Sequence, residues 1–80
     1  MKVVKKNGSI EAFDKSKIAA GCMRAGASES VASKVADAVA KNVKDGTRTS
    51  KIGEMVIAEL KKLDKKAAAE FEIFFMEAMH

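Results

Sequence analysis

The Asn7-Gly8 pair, set between two short apolar segments, limits what this chain can fold into more than any other feature. A tight turn needs positive φ at its central residues, which glycine adopts freely and asparagine tolerates, so the chain is expected to double back here as a β-hairpin. Residues 2–6 and 9–13 then read as two strands, with Val3, Val4, Ile10 and Phe13 as their apolar members. Strict alternation puts Ile10 and Phe13 on opposite faces of one strand. A bulge at Gly8 reconciles the pattern by setting Val4 opposite Ile10 and leaving Lys5 and Glu11 on the other face with Val3 and Phe13. Two strands alone are marginal in water, so the ribbon must pack on other elements or gain a third strand.

The rest of the chain reads as four helices. Asp14 caps the first, over residues 15–25, with Ile18, Cys22 and Ala25 inward and Gly26 as the stop. Ser28 caps the second, in which Val31, Val35, Val39 and Val43 recur every four residues beside Ala32, Ala36 and Ala40; its end is expected at Asp45-Gly46. Residues 46–49 are long enough for a minimal third strand beside the hairpin. Thr49 or Ser50 caps the third helix, whose buried face is Ile52, Met55, Val56, Leu60 and Leu63. Gly53 costs about 1 kcal/mol relative to alanine inside a helix, so something is expected to pack or bind close to that backbone. Asp64 caps the last helix, with Ala67, Phe71, Phe74, Phe75 and Ala78 on one side and Ile73 and Met76 widening the apolar surface. The expected class is α+β, a hairpin or three-stranded sheet covering a four-helix bundle, in one domain over residues 1–80.

Composition removes several function classes. A single cysteine, Cys22, excludes an internal disulfide, and with one histidine at position 80 it cannot complete a tetrahedral metal site. Cys22 falls on the inward side of an apolar helix, which suits a buried structural thiol better than a nucleophile. No acid-base pair stands at a spacing that local structure would fix, so binding is expected rather than turnover. No apolar run reaches the length of a membrane span, and a reduced, cytoplasmic setting is the expectation.

Five lysines against Glu11 and Asp14 give the first seventeen residues a net charge of +3, most of the +4 carried by the whole chain. Lysines at a hairpin end can simply solvate it and protect the sheet edge. A compact fold could also bring Lys5 and Lys6 together with Lys17 and the helix start at Thr49, where ammonium groups and helix-end amides suit phosphate oxygens. Glu11 reads either as a solvated or Lys5-paired strand residue, or as an acceptor for a donor such as an exocyclic amine. From the residues alone the reading stops at an anion, of which phosphate is one candidate, beside the alternative of a simply solvated hairpin end.

The ordered set Val3, Lys5, Lys6, Asn7, Gly8, Glu11, Asp14, Lys17, Ile18 resembles the opening of the ATP-cone, the nucleotide-sensing module at the front of many ribonucleotide reductases. A second block, from Thr49-Ser50-Lys51-Ile52-Gly53 to Leu60-Lys61-Lys62-Leu63-Asp64, resembles a later helix of that family and is especially similar to the cone of the bacterial repressor of reductase genes. The resemblance implies an ATP or dATP site beneath a small sheet, with Mg²⁺ as an accompaniment of the phosphates. It assigns Lys5, Lys6 and Lys17 to the triphosphate, and Glu11 and Thr49 to the adenine. Val3, Asp14 and Gly53 match further lining positions, Asp14 also being a helix cap.

Departures from the family pattern affect the expected affinity. Lys6 replaces the usual arginine and cannot make a planar two-pronged contact with phosphate. Gly53 stands where some reductase cones have histidine, and Glu77 and Ala78 occupy a region where some carry a basic residue. The 80 residues contain neither the repressor's zinc ribbon nor a reductase catalytic domain. The implied function is non-enzymatic: nucleotide-dependent association with further copies or with a larger regulated protein. The alternatives are a small basic module that binds nucleic acid through the same lysines, and a degenerate cone serving as a dimerisation scaffold.

Overall fold

In the computed structural model, which describes residues 1–78, the chain order is β1 (Lys2–Val4), β2 (Ile10–Ala12), α1 (Lys15–Arg24), α2 (Glu29–Asn42), β3 (Thr47–Arg48), α3 (Thr49–Leu63) and α4 (Lys65–Ala78). The three strands form one mixed sheet in the order β2-β1-β3, so the class is α+β. β1 is the middle strand, antiparallel to β2 and parallel to β3. The expected third strand exists as a two-residue element. His80 lies outside the described residues, as does the side chain of Ala78.

The hairpin register pairs Val4 with Ile10 and Val3 with Glu11, as the apolar pattern requires. Its turn carries the expected bulge at Gly8 but differs at Asn7, whose backbone does not take positive φ. Gly8 has φ 88°, whereas no non-glycine residue among those described has positive φ. The Gly8 amide donates to the Lys5 carbonyl (2.9 Å) and the Lys5 amide to the Ser9 carbonyl (2.8 Å). This is a three-residue loop with a glycine bulge, in which only one position needs left-handed backbone. Asn7 contributes through its side chain instead, Oδ1 accepting from the Ser9 amide (3.0 Å) and hydroxyl (2.7 Å).

Helix ends follow their local chemistry. Asp14 accepts from the Ser16 amide at the start of α1. At its other end the Ala27 and Gly26 amides donate to the carbonyls of Cys22 and Met23, a Schellman closure with Gly26 at φ 104°. Ser28 Oγ accepts from the Val31 amide at the start of α2, and Asp64 Oδ1 from the Ala67 amide at the start of α4. Two expected boundaries move. α2 stops at Asn42, because Val43 takes extended backbone and is drawn into the core, while Gly46 turns the chain into β3. Thr49 is the first residue of α3 and not its cap; that position belongs to Arg48, which makes no side-chain capping bond.

α1 packs on α2, α2 on α3, α3 on α4, and α4 returns to touch α1. The closed ring encloses Cys22, Ala32, Val35, Val39, Val56, Leu60 and Ala68, with Val3 entering from the sheet and Phe13 packing on its margin. Full burial of a side chain such as Leu60 is worth about 2 kcal/mol, and the valine and alanine stripe of α2 lets its neighbours approach closely. On α3, Ile57 is buried although the spacing did not select it, and Leu63 is 48% exposed. On α4, Ala67 and Ala68 are buried, Phe71 and Phe75 half-buried, and Phe74, expected on the inner side, is 46% exposed with Ile73 and Met76.

Candidate functional site

The hairpin end, the first turns of α1 and α3 and the middle of α4 surround a cleft of about 410 Å³. Lys5 and Lys6 come from the hairpin, where the bulged turn sets them at the end of the ribbon. Lys17 comes from the first turn of α1, which Asp14 starts. Thr49 and Gly53 line it from α3. Behind the sheet a smaller cavity of about 110 Å³ is lined by Val3, Glu11, Ala12, Phe13 and Asp14, and shares Lys17, Ile18, Thr49 and Ile52 with the cleft. All eight residues singled out from the sequence therefore line two adjoining spaces. The fold brings them there from four different elements, β1, β2, α1 and α3, and from the hairpin turn and the β2–α1 link.

Electrostatically the site is a cationic mouth on an apolar interior. Lys5 Nζ stands 3.8 Å from Glu11 Oε2, with both side chains partly exposed, so the pair is weak and open to competition from a stronger anion. Asp14 is held below the usual carboxylate range by the Ser16 hydroxyl (2.6 Å) and amide (3.0 Å), with a further contribution from the Lys17 charge. It stays ionised as the helix cap, with Oδ1 accepting both Ser16 bonds. The first turn of α3 has no side-chain cap, which leaves its amides for water or an anion.

Sequence reasoning missed the cleft's inner wall: Ile18 and Gly21 of α1, Ile52 and Val56 of α3, Phe71 and Phe75 of α4. The phenylalanines are one helical turn apart, and each faces a helical glycine. A Cβ at Gly21 would come within 3.3 Å of the Phe71 ring, and one at Gly53 would overlap the Phe75 ring, with Cζ at 2.7 Å. Gly53 is thus explained by a ring lying on its backbone, the close approach its place in a helix implied. The available signal was the pair of glycines inside helices together with the Phe71/Phe75 spacing.

A phosphate-bearing aromatic ligand fits this arrangement, with ammonium groups at the mouth and a flat apolar space within. Among the described residues no group of three His, Cys, Asp or Glu side chains could hold a metal ion. No helix of the described residues is long and apolar enough to cross a membrane. Cys22 is fully buried, and burial pushes its thiol upward, away from the reactive thiolate.

The chain is 37% identical over 83 residues to the transcriptional repressor NrdR of Leptothrix cholodnii, covering 94% of this chain and 56% of that protein. It is 34% identical to the transcriptional repressor NrdR of Koribacter versatilis, with 94% and 51% covered, and 39% identical to that of Clostridium kluyveri, with 86% and 51% covered. The chain spans about half the length of these curated relatives. The sequence profile of the ATP cone domain matches residues 1–78, and with the lysine-mouthed cleft beneath its small mixed sheet the chain belongs to the ATP-cone domain family.

Proposed function

We propose that this domain binds ATP or dATP in the cleft beneath the hairpin and reports its presence by changing how the chain associates with other copies. The family is one of nucleotide-sensing regulatory domains rather than enzymes. The observation that carries the reading is the convergence of Lys5, Lys6 and Lys17 at the mouth of a cleft adjoining the Glu11 and Thr49 cavity. In this reading the lysines hold the triphosphate, Glu11 and Thr49 hold the adenine, and Val3, Asp14 and Gly53 complete the lining. Any Mg²⁺ comes with the phosphates, since the pocket offers cations where a metal would need carboxylates.

Phosphate binding draws Lys5 away from Glu11, whose carboxylate then accepts from the exocyclic amine of adenine; guanine presents a carbonyl at the same position. The exposed apolar residues Ile73, Phe74 and Met76 of α4 provide the association surface. Calorimetric titration with ATP, dATP, ADP and GTP, followed by light scattering with and without nucleotide, tests the reading. Binding that favours the adenine triphosphates and alters the oligomer supports it. No preference for ATP over GTP overturns the base assignment, and an unchanged oligomer overturns the association.

A second reading is favoured by the relatives being transcriptional repressors: the exposed hairpin lysines contact nucleic acid. Binding of that kind collapses with rising salt and ignores the identity of an added nucleotide, so a salt series on a labelled duplex separates the two.

A further inference from the structure

We infer that α4 is the element through which occupancy of the cleft is read, and that the coupling runs through the Phe71 and Phe75 rings seated on Gly21 and Gly53. The inference rests on the nucleotide reading above and adds the device that transmits it.

α4 docks through one stripe. Ala67 and Ala68 are buried at its start, and Phe71 and Phe75 follow at one-turn intervals, each half-buried. The rings reach across to helices on two sides: Phe71 to the backbone of α1 at Gly21, and Phe75 to that of α3 at Gly53. The surfaces they leave partly exposed are part of the cleft wall. The outward residues Ile73, Phe74 and Met76 are about half exposed or more. Among the described apolar side chains, the most buried in the far half of α4 are therefore seated rings that the cleft leaves incompletely covered.

A ligand that fills the cleft covers the remaining ring surface and can do so only while α4 is docked. Differential affinity for the docked state is what a ligand needs to shift an equilibrium, and linkage makes the effect reciprocal. Nucleotide must strengthen the docking of α4, and anything that unseats α4 must weaken nucleotide binding by the same factor. The lysine mouth supplies affinity, and the ring seats convert it into a change in the helix that carries the exposed apolar surface.

The test uses the full chain, labelled with ¹⁵N. ATP binding is measured by calorimetry, and amide hydrogen exchange is followed through residues 65–78 with and without ATP, in the wild type, Phe75→Ala and Gly53→Ala. The expected result is that ATP slows exchange in the far half of α4 of the wild type by about fivefold or more, within the usual range of such couplings. Phe75→Ala should weaken ATP binding by a similar factor and abolish the ATP-dependent slowing. Gly53→Ala, whose added methyl displaces the Phe75 ring, should speed α4 exchange before any nucleotide is added. ATP binding with unchanged α4 exchange in the wild type overturns the coupling alone, as does Phe75→Ala that keeps the full ATP response. Absence of ATP binding by the wild type overturns the nucleotide reading and the coupling together. Phe75→Ala truncates a half-buried ring, so it provides a folded variant if Gly53→Ala does not fold.

Discussion

Replacing Lys5 and Lys17 together by alanine removes two of the three ammonium groups at the cleft mouth while leaving the core untouched. Unit charges about 4 Å apart attract by about 1 kcal/mol in bulk water and about 4 kcal/mol at an effective dielectric near 20. The Lys5 side chain is 50% exposed, so the lower figure applies, and two lysines contribute about 2 kcal/mol toward a triphosphate. At 1.4 kcal/mol per decade, Kd for ATP should rise by about ten- to thirtyfold. Stability should barely change. The Lys5–Glu11 pair at 3.8 Å is partly exposed and worth less than about 1 kcal/mol, and removing clustered like charges offsets its loss. The expected fall in Tm is below about 5 °C for a chain of this size. Isothermal calorimetry with ATP, alongside scanning calorimetry of the same samples, makes the measurement. An unchanged Kd in a variant with near-native Tm would refute the assignment of these lysines to phosphate.

Three further predictions concern the scaffold. Leu60→Ala empties the centre of the bundle, where Leu60 is fully buried, and should cost about 3 kcal/mol in a urea unfolding curve; a loss below about 1 kcal/mol would contradict the packing described. Asp14 and Asp37 are held below the ordinary carboxylate range, Asp14 chiefly by the Ser16 hydroxyl and Asp37 by the Lys15 ammonium at 2.8 Å. A depressed folded pKa contributes stability that is complete above the unfolded value of 3.8 and is lost as pH falls through the folded one. Asp14→Ala with Asp37→Ala should therefore flatten the acid limb of a Tm-against-pH curve, and an acid limb as steep as the wild type's would count against both contacts. Cys22 should resist a thiol reagent in the native protein and react on unfolding in urea, whereas prompt native labelling would place it outside the core.

What could be read from the sequence was whatever depends on short-range chemistry. Asp14, Ser28 and Asp64 cap because a carboxylate or hydroxyl two or three residues before a backbone amide can reach it, and Gly26 ends α1 because only its backbone takes the required sign of φ at little cost. The Val4 and Ile10 register followed from a need to place Val3 and Phe13 on the same side. The lysine cluster emerged from charge and turn position, but its assignment to a nucleotide came from resemblance. The misses had tertiary causes. Val43 leaves the helix because the core claims it; Phe74 turns outward because Phe71 and Phe75 hold the ring seats; and the inner wall of the cleft depends on where α4 comes to rest, which the helical glycines and the Phe71/Phe75 spacing signal only when taken together.

The parallel pairing of β1 with β3 has a kinetic consequence. The hairpin closes a loop of a few residues, whereas joining Val3 to Thr47 must close about forty, an added entropic cost of about 2 kcal/mol. Two residue pairs, with the Gly46 amide donating to the Lys2 carbonyl (2.9 Å) and the Lys2 amide to Asp45 Oδ1 (2.8 Å), compensate for it, so this short seam should form after the bundle has condensed and open before it melts. Weakening it at Thr47 or Arg48 should accelerate unfolding while leaving the refolding rate nearly constant.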